Sequence, residues 1–152
     1  MKNRKYIISI SVLAIFMLVF ILTGCGPQEL EYEQVSYADE MTENMLLGQN
    51  ELDYDKYSRD FTQDMLSAVT EANFEEQIGL LEEADFSPYV EDSKEFLSAV
   101  PDNGYISVYY KIEVLQERVI EGETKSVKAA YRLKMVFEEV GREMKIAGYW
   151  YE

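Results

Sequence analysis

The sequence contains no histidine and only one cysteine, Cys25. Without histidine it lacks the commonest general base at neutral pH and the commonest transition-metal ligand. One thiol cannot close an internal disulfide. Ser–His and Cys–His nucleophile pairs and His/Cys zinc sites are therefore excluded within this chain. No glycine-rich phosphate loop is present. Basic residues are scarce too. There are 14 against 29 acidic ones, and Lys2, Arg4 and Lys5 all precede Cys25. The chain from Cys25 onward has 11 basic and 29 acidic residues, a net charge of −18. That balance argues against nucleic acid as a partner, because phosphate binding needs clustered Lys and Arg. It argues equally against lying flat on an anionic lipid surface.

What is present begins with a positive start, Met1 to Lys5, and an apolar run, Tyr6 to Leu22, broken only by Ser9 and Ser11. Small residues and a cysteine follow, in the order Leu22-Thr23-Gly24-Cys25. A cationic start, an apolar stretch and a small-residue cut site form the layout of a secretory signal. The run of 17 residues is near the lower limit for a membrane span. The Leu-Thr-Gly-Cys stretch resembles the lipobox of bacterial lipoproteins. That resemblance implies cleavage between Gly24 and Cys25 and a diacylglycerol (an acyl-lipid anchor) on the Cys25 sulfur. It places the protein on the extracytoplasmic side of the cell membrane, with no other cofactor. Two acyl chains suffice for stable anchoring. The expected divisions are residues 1–24 as signal peptide, 25–34 as lipidated cysteine and tether, and 35–152 as one domain. Gly26 to Glu33 reads as a polar tether, ~25–30 Å long if extended.

Periodicity divides the domain into helices and then strands. Val35, Ala38, Met41, Met45 and Leu46 fall on one helical face between about Ser36 and Leu47, with Gly48 as the stop. Asp53 caps a short helix to Arg59 that turns Tyr54, Tyr57 and Phe61 inward. Thr62 caps a turn carrying Met65, Leu66 and Val69. Thr70 caps a helix with an apolar stripe of Phe74, Ile78 and Leu81. Lys94 to Val100 is a strand, and Pro101-Asp102-Asn103-Gly104 a turn whose first bend the proline fixes. From Tyr105 the period is two. Ile106, Val108, Tyr110, Ile112 and Val114 face one way, and Tyr105, Ser107, Tyr109, Lys111 and Glu113 the other. Beyond Glu121-Gly122-Glu123, Ala129, Tyr131, Leu133, Met135 and Phe137 alternate with Ala130, Arg132, Lys134, Val136 and Glu138. After Gly141-Arg142, the same alternation puts Met144, Ile146, Gly148 and Trp150 inward and Lys145, Ala147, Tyr149 and Tyr151 outward. This pattern predicts an α+β fold, with N-terminal helices packed on a curved antiparallel meander.

Helices followed by such a sheet resemble the nuclear-transport-factor-2-like (cystatin-like) cone. The stretch from Met45 to Phe61, continuing through Met65, Thr70 and Phe74, and the closing Ala147-Gly148-Tyr149-Trp150 resemble a family of uncharacterised bacterial lipoprotein domains of that fold. Tyr57 stands where that family has phenylalanine. The resemblance implies fold and surface location, and no catalytic residue.

Carboxylates are the remaining chemistry. Asp53-Tyr54-Asp55 and Asp60 lack the glycine and distal glutamate of a calcium loop, so no metal site is expected. Some cone-shaped enzymes pair an Asp base with a Tyr to hold an enolate, but no acid lies among the inward strand residues. Tyr110, Tyr131 and Trp150 are the cavity candidates. Tyr109, Lys111, Arg132, Lys134, Lys145 and Tyr149 would gather on the outward face as an interface. The expectation is a membrane-anchored, non-catalytic binding domain, whose partner is a second copy, another envelope protein or a small ligand at the open end of the cone. The alternative is a small isomerase- or dehydratase-like enzyme.

Overall fold

A computed structural model describes residues 28–86 and 88–152. Residues 1–27 lie outside the described residues, and with them the expected signal peptide, its cleavage site at Gly24 and Cys25, and the lipidated Cys25. Among the described residues, no helix is long and apolar enough to cross a membrane.

Helix α1 (Tyr37–Glu51) is followed by α2 (Tyr54–Ser58), α3 (Gln63–Ala68) and α4 (Glu71–Glu83). Four strands come next: β1 (Glu95–Asp102), β2 (Tyr105–Ile120), β3 (Glu123–Val140) and β4 (Glu143–Tyr151). They form one antiparallel sheet in the order β1-β2-β3-β4, so the α+β class stands.

The caps fall where side-chain oxygens can meet free N–H groups. Asp53 accepts from the Lys56 nitrogen at 3.0 Å, Thr62 from Met65 at 3.3 Å, and Asn73 reaches back to the Thr70 nitrogen at 2.9 Å.

Helix α1 does not stop at Gly48. It runs on to Glu51 and ends on Leu52, which takes the left-handed conformation. Gly48 has a different task, because α2 crosses it at backbone distance. Pro101 is likewise not part of the turn. It lies in edge strand β1 opposite Ile106, where its missing N–H is tolerated. The turn is Asn103-Gly104, both at positive φ, the geometry of a two-residue type I′ hairpin.

One face of the sheet carries the core. Val108, Tyr110, Ile112, Val114, Leu133, Met135, Phe137 and Ile146 are buried there beneath Ala38, Met45, Leu46, Tyr57 and Phe74 of the helices. Both long strands extend beyond their neighbours. β1 pairs β2 no further than Glu95 with Lys111, while β2 and β3 pair on to Ile120 with Glu123. The result is a two-stranded ribbon with Val119 74% exposed near its tip.

Strand β4 departs from simple alternation. Val136 pairs with Gly148 but Phe137 pairs with Ile146, so Ala147 is an extra residue in the ladder. A bulge of this kind reverses which face the following side chains take. Past it, Tyr149 and Tyr151 turn inward, and Gly148 and Trp150 turn outward.

The N-terminal tether is shorter than the composition suggested. The Leu30 nitrogen donates to the Ala99 carbonyl at 2.8 Å, and a short 3-10 turn, Tyr32–Gln34, follows. The Tyr32 ring packs edge-on against Phe96, centroids 5.4 Å apart. The chain is thus fixed to the free edge of β1 five residues before the expected domain start.

Candidate functional site

The structure separates the three cavity candidates. Tyr110 is fully buried on the inner face. Tyr131 lies farther along the ribbon, its hydroxyl accepting from Gln116 and its ring 4.6 Å from that of Phe86. Trp150 is on the opposite side of the sheet, 53% exposed. Its outward position is a correction that follows from the Ala147 bulge.

Tyr149 is corrected for the same reason. It joins a buried hydroxyl chain in which Tyr57 lies 2.9 Å from Tyr149, Gln49 donates to Tyr149 at 3.3 Å, and Tyr151 donates to Gln49 at 2.8 Å. Burial pushes the Tyr57, Tyr149 and Tyr151 hydroxyls above the ordinary tyrosine range. In Tyr149 the bonds to Tyr57 and Gln49 partly offset that rise.

The other five interface candidates share the outward face. Ser98, Tyr109, Lys134 and Trp150 are successive cross-strand partners, one from each strand. The Lys134 ammonium is 5.9 Å from the centroid of Tyr109 and 5.6 Å from that of Trp150. Arg132, two residues along β3, stacks its guanidinium 4.2 Å over the other side of this array, on Tyr109. Such contacts attract through the ring quadrupole, and most strongly once water is removed.

The adjoining row is closed by ion pairs, Lys111 with Glu95 at 3.2 Å and Arg132 with Glu152 at 3.7 Å. Lys145 pairs with Glu143 at 3.4 Å. Among the described residues, Lys134 has no carboxylate within ion-pair distance. Trp150 is held flat, since a Cβ on Gly148 would meet its ring at 2.7 Å. An aromatic laid over a strand glycine restores the packing that glycine cannot supply. Two open hollows flank the row. One, of about 250 Å³, lies between Tyr105, Val136, Ala147 and Trp150. The other, of about 240 Å³, lies between Val100, Ser107, Tyr109 and Lys134.

A second cluster was not legible in the strand pattern, because helix α1 supplies its acids. The Lys94 ammonium, with a side chain only 10% exposed, lies 3.4 Å from Asp39 and 3.7 Å from Glu43. It also sits 5.1 Å from the Tyr110 ring centroid. Tyr32 donates to Asp39 at 2.6 Å and Tyr89 to Glu43 at 3.1 Å. Partial burial alone would raise the Asp39 carboxyl. Tyr32, the neighbouring Tyr110 hydroxyl and Lys94 more than offset this and hold it below its ordinary value. Among the described residues, the Tyr110 hydroxyl itself completes no hydrogen bond. The signal for this cluster was the spacing of Asp39 and Glu43, four apart and thus on one helical face beside the apolar stripe.

Fold and site together define an α+β domain that presents a cation–aromatic row on the open face of its sheet. No family model and no curated protein matches the chain. Among solved structures it is similar to a designed nuclear-transport-factor-2 variant at 16% identity and a TM-score of 0.45, covering 78% of this chain and 99% of that one. It is also similar to AclR, a proposed hydroxylase from Streptomyces galilaeus, at 11% identity and a TM-score of 0.44, covering 77% of this chain and 78% of that one.

Proposed function

We propose that this is a lipid-anchored protein of the extracytoplasmic membrane face whose domain binds a protein partner and does not catalyse. The anchor reading rests on the Leu22-Thr23-Gly24-Cys25 sequence behind its apolar run. The binding reading rests on one observation above the others. The sole tryptophan, Trp150, is 53% exposed yet fixed over Gly148, in a row with Tyr109 and Lys134 that contains no carboxylate. A rigid, exposed tryptophan flanked by tyrosine and cations is the composition of an interface centre. Lys134 is the cation of this row left without a carboxylate among the described residues, while Asp64 and Glu138 line the hollow beside Trp150 and Asp102 the other, so the face is aromatic at its centre and mixed in charge around it.

A specific observation also speaks for the isomerase-like alternative, since Asp39 does lie beside Tyr110. Its chemistry argues the other way. An effective general base has a pKa near the working pH, whereas Asp39 is held below the ordinary carboxylate value and paired to Lys94.

The test is photo-crosslinking in intact cells, with the photoreactive residue at Ser107 or Val136 in the two hollows. A discrete adduct that disappears with Lys134→Glu is the expected result. No adduct from either position, with one formed from exposed Glu76 on α4 instead, would reject this face.

A further inference from the structure

We propose that the domain turns the end of the sheet carrying the β1–β2 and β3–β4 hairpins toward the membrane, with the β2–β3 ribbon pointing away. This rests on the anchor reading for Cys25.

The entering chain gives the direction. Leu30 bridges Ala99 in antiparallel sense, and Tyr32 packs on Phe96. Going back from Leu30 through Glu29 and Gln28 therefore means moving along β1 toward Asp102 and the Asn103-Gly104 turn. Because Tyr105 pairs with Glu138 and Val140 with Glu143, the β3–β4 turn lies at that same end. The Glu121-Gly122 turn lies at the other.

Chain length then gives the distance. Cys25 stands five positions before Leu30, so the lipid-bearing residue is at most ~18 Å from Leu30 even when fully extended. The ribbon tip is much farther. Val108 is the partner of Ala99, and the twelve residues on to Ile120 span roughly 40 Å of strand. With the sheet upright and the ribbon toward the lipid, Leu30 would stand about 40 Å above the surface, beyond the reach of its anchor. With the hairpin end down, the anchor reaches comfortably.

Asp102, Glu139 and Glu143 are exposed at that end. Anionic headgroups repel them, so this end stands off the lipid surface on its tether and does not lie in it. The Tyr109–Lys134–Trp150 row then stands to the side, open to a partner approaching parallel to the membrane. The ribbon tip, with Val119, is held roughly 50 Å from the hairpin end by the length of β2.

The test uses the full chain, purified from membranes and reconstituted into phosphatidylcholine–phosphatidylglycerol vesicles with an energy acceptor on a lipid headgroup. A donor dye is placed on Asp102→Cys or Thr124→Cys, and the unsubstituted chain reports labelling of Cys25. The expected result is vesicle-bound protein, no dye on the unsubstituted chain, and transfer from position 102 several-fold greater than from position 124. Equal transfer from both positions in vesicle-bound protein overturns the orientation alone, as for a domain lying on its β1 edge. Protein free of vesicles, with Cys25 open to the dye, overturns the anchor and the orientation with it.

Discussion

Gly48 of α1 packs against the backbone of Tyr57 in α2: a Cβ at position 48 would lie 2.5 Å from the Tyr57 nitrogen and 2.6 Å from its Cα. Neither atom can rotate away, so relief requires the two helices to part. Tyr57 is also a central core residue, 4.8 Å ring to ring from both Phe61 and Phe74. Gly48→Ala should therefore destabilise the domain by about 3 kcal/mol, as overpacking does, despite a helix-propensity gain of about 1 kcal/mol. Urea denaturation checks this. An unchanged midpoint would mean that α1 and α2 are not held at this distance.

The buried tyrosines predict alkaline instability. Burial raises Tyr57, Tyr110 and Tyr151 well above the ordinary value of 10.0. In the unfolded chain they ionise near 10, while the folded chain keeps its protons to higher pH. The unfolded state thus binds fewer protons above pH 10, and stability falls as pH rises. Three such groups cost about 4 kcal/mol per pH unit in that window. Tyrosinate absorbance and circular dichroism followed together should show these phenols ionising only as the fold is lost. Full ionisation with secondary structure intact would contradict their burial.

The sequence stated the period of β2 and β3 plainly, because nothing interrupts their alternation from Tyr105 to Lys111 and from Ala129 to Phe137. The caps Asp53 and Thr62 were equally legible, since capping is local chemistry. What misled was glycine. Gly48 reads as a helix end and Gly148 as one more strand residue, yet each marks a close approach, to Tyr57 in one case and Trp150 in the other. Glycine inside a strand is a signal of a bulge or close contact, and here the bulge is at the adjacent Ala147. That single inserted residue exchanged the faces of Tyr149 and Trp150 and changed the composition of both candidate sites. Asp39 and Glu43 are hard to single out in the sequence for a different reason. Acids on a helix of a very acidic chain look solvated, and their partner Lys94 is more than fifty residues away.

Lys94 predicts a large effect from one charge. It lies between Asp39 and Glu43 with little exposure to water. Lys94→Met leaves two partly buried carboxylates facing each other and should cost about 3 kcal/mol at neutral pH. The lowered Asp39 value sets the acid limb. The stability from the ionised Asp39 is present above its unfolded pKa, near 4, and lost as pH falls through its lower folded value. Wild type should therefore lose stability below about pH 4 relative to Asp39→Asn. Parallel stability curves for the two proteins down to about pH 2 would rule out this role.

Trp150 offers a direct reading of the outward face, because it is the only tryptophan in the chain. Half-exposed on a solvated sheet, it should emit at the long-wavelength end of the tryptophan range. An occupant of this face would remove that water and shift the emission to shorter wavelength. Extracting the protein from cells with and without mild crosslinking, and comparing emission before and after denaturant releases any partner, checks whether such a shift exists. Lys134→Glu should abolish it while leaving the unfolding midpoint within about 0.5 kcal/mol of wild type, since the site is on the surface. Trp150→Ala should weaken partner binding by 2 kcal/mol or more, roughly thirty-fold, if it is the centre of the interface. It should also lower stability modestly by uncovering Gly148. Partner binding that survives both substitutions would leave the cation–aromatic row as ordinary cross-strand packing.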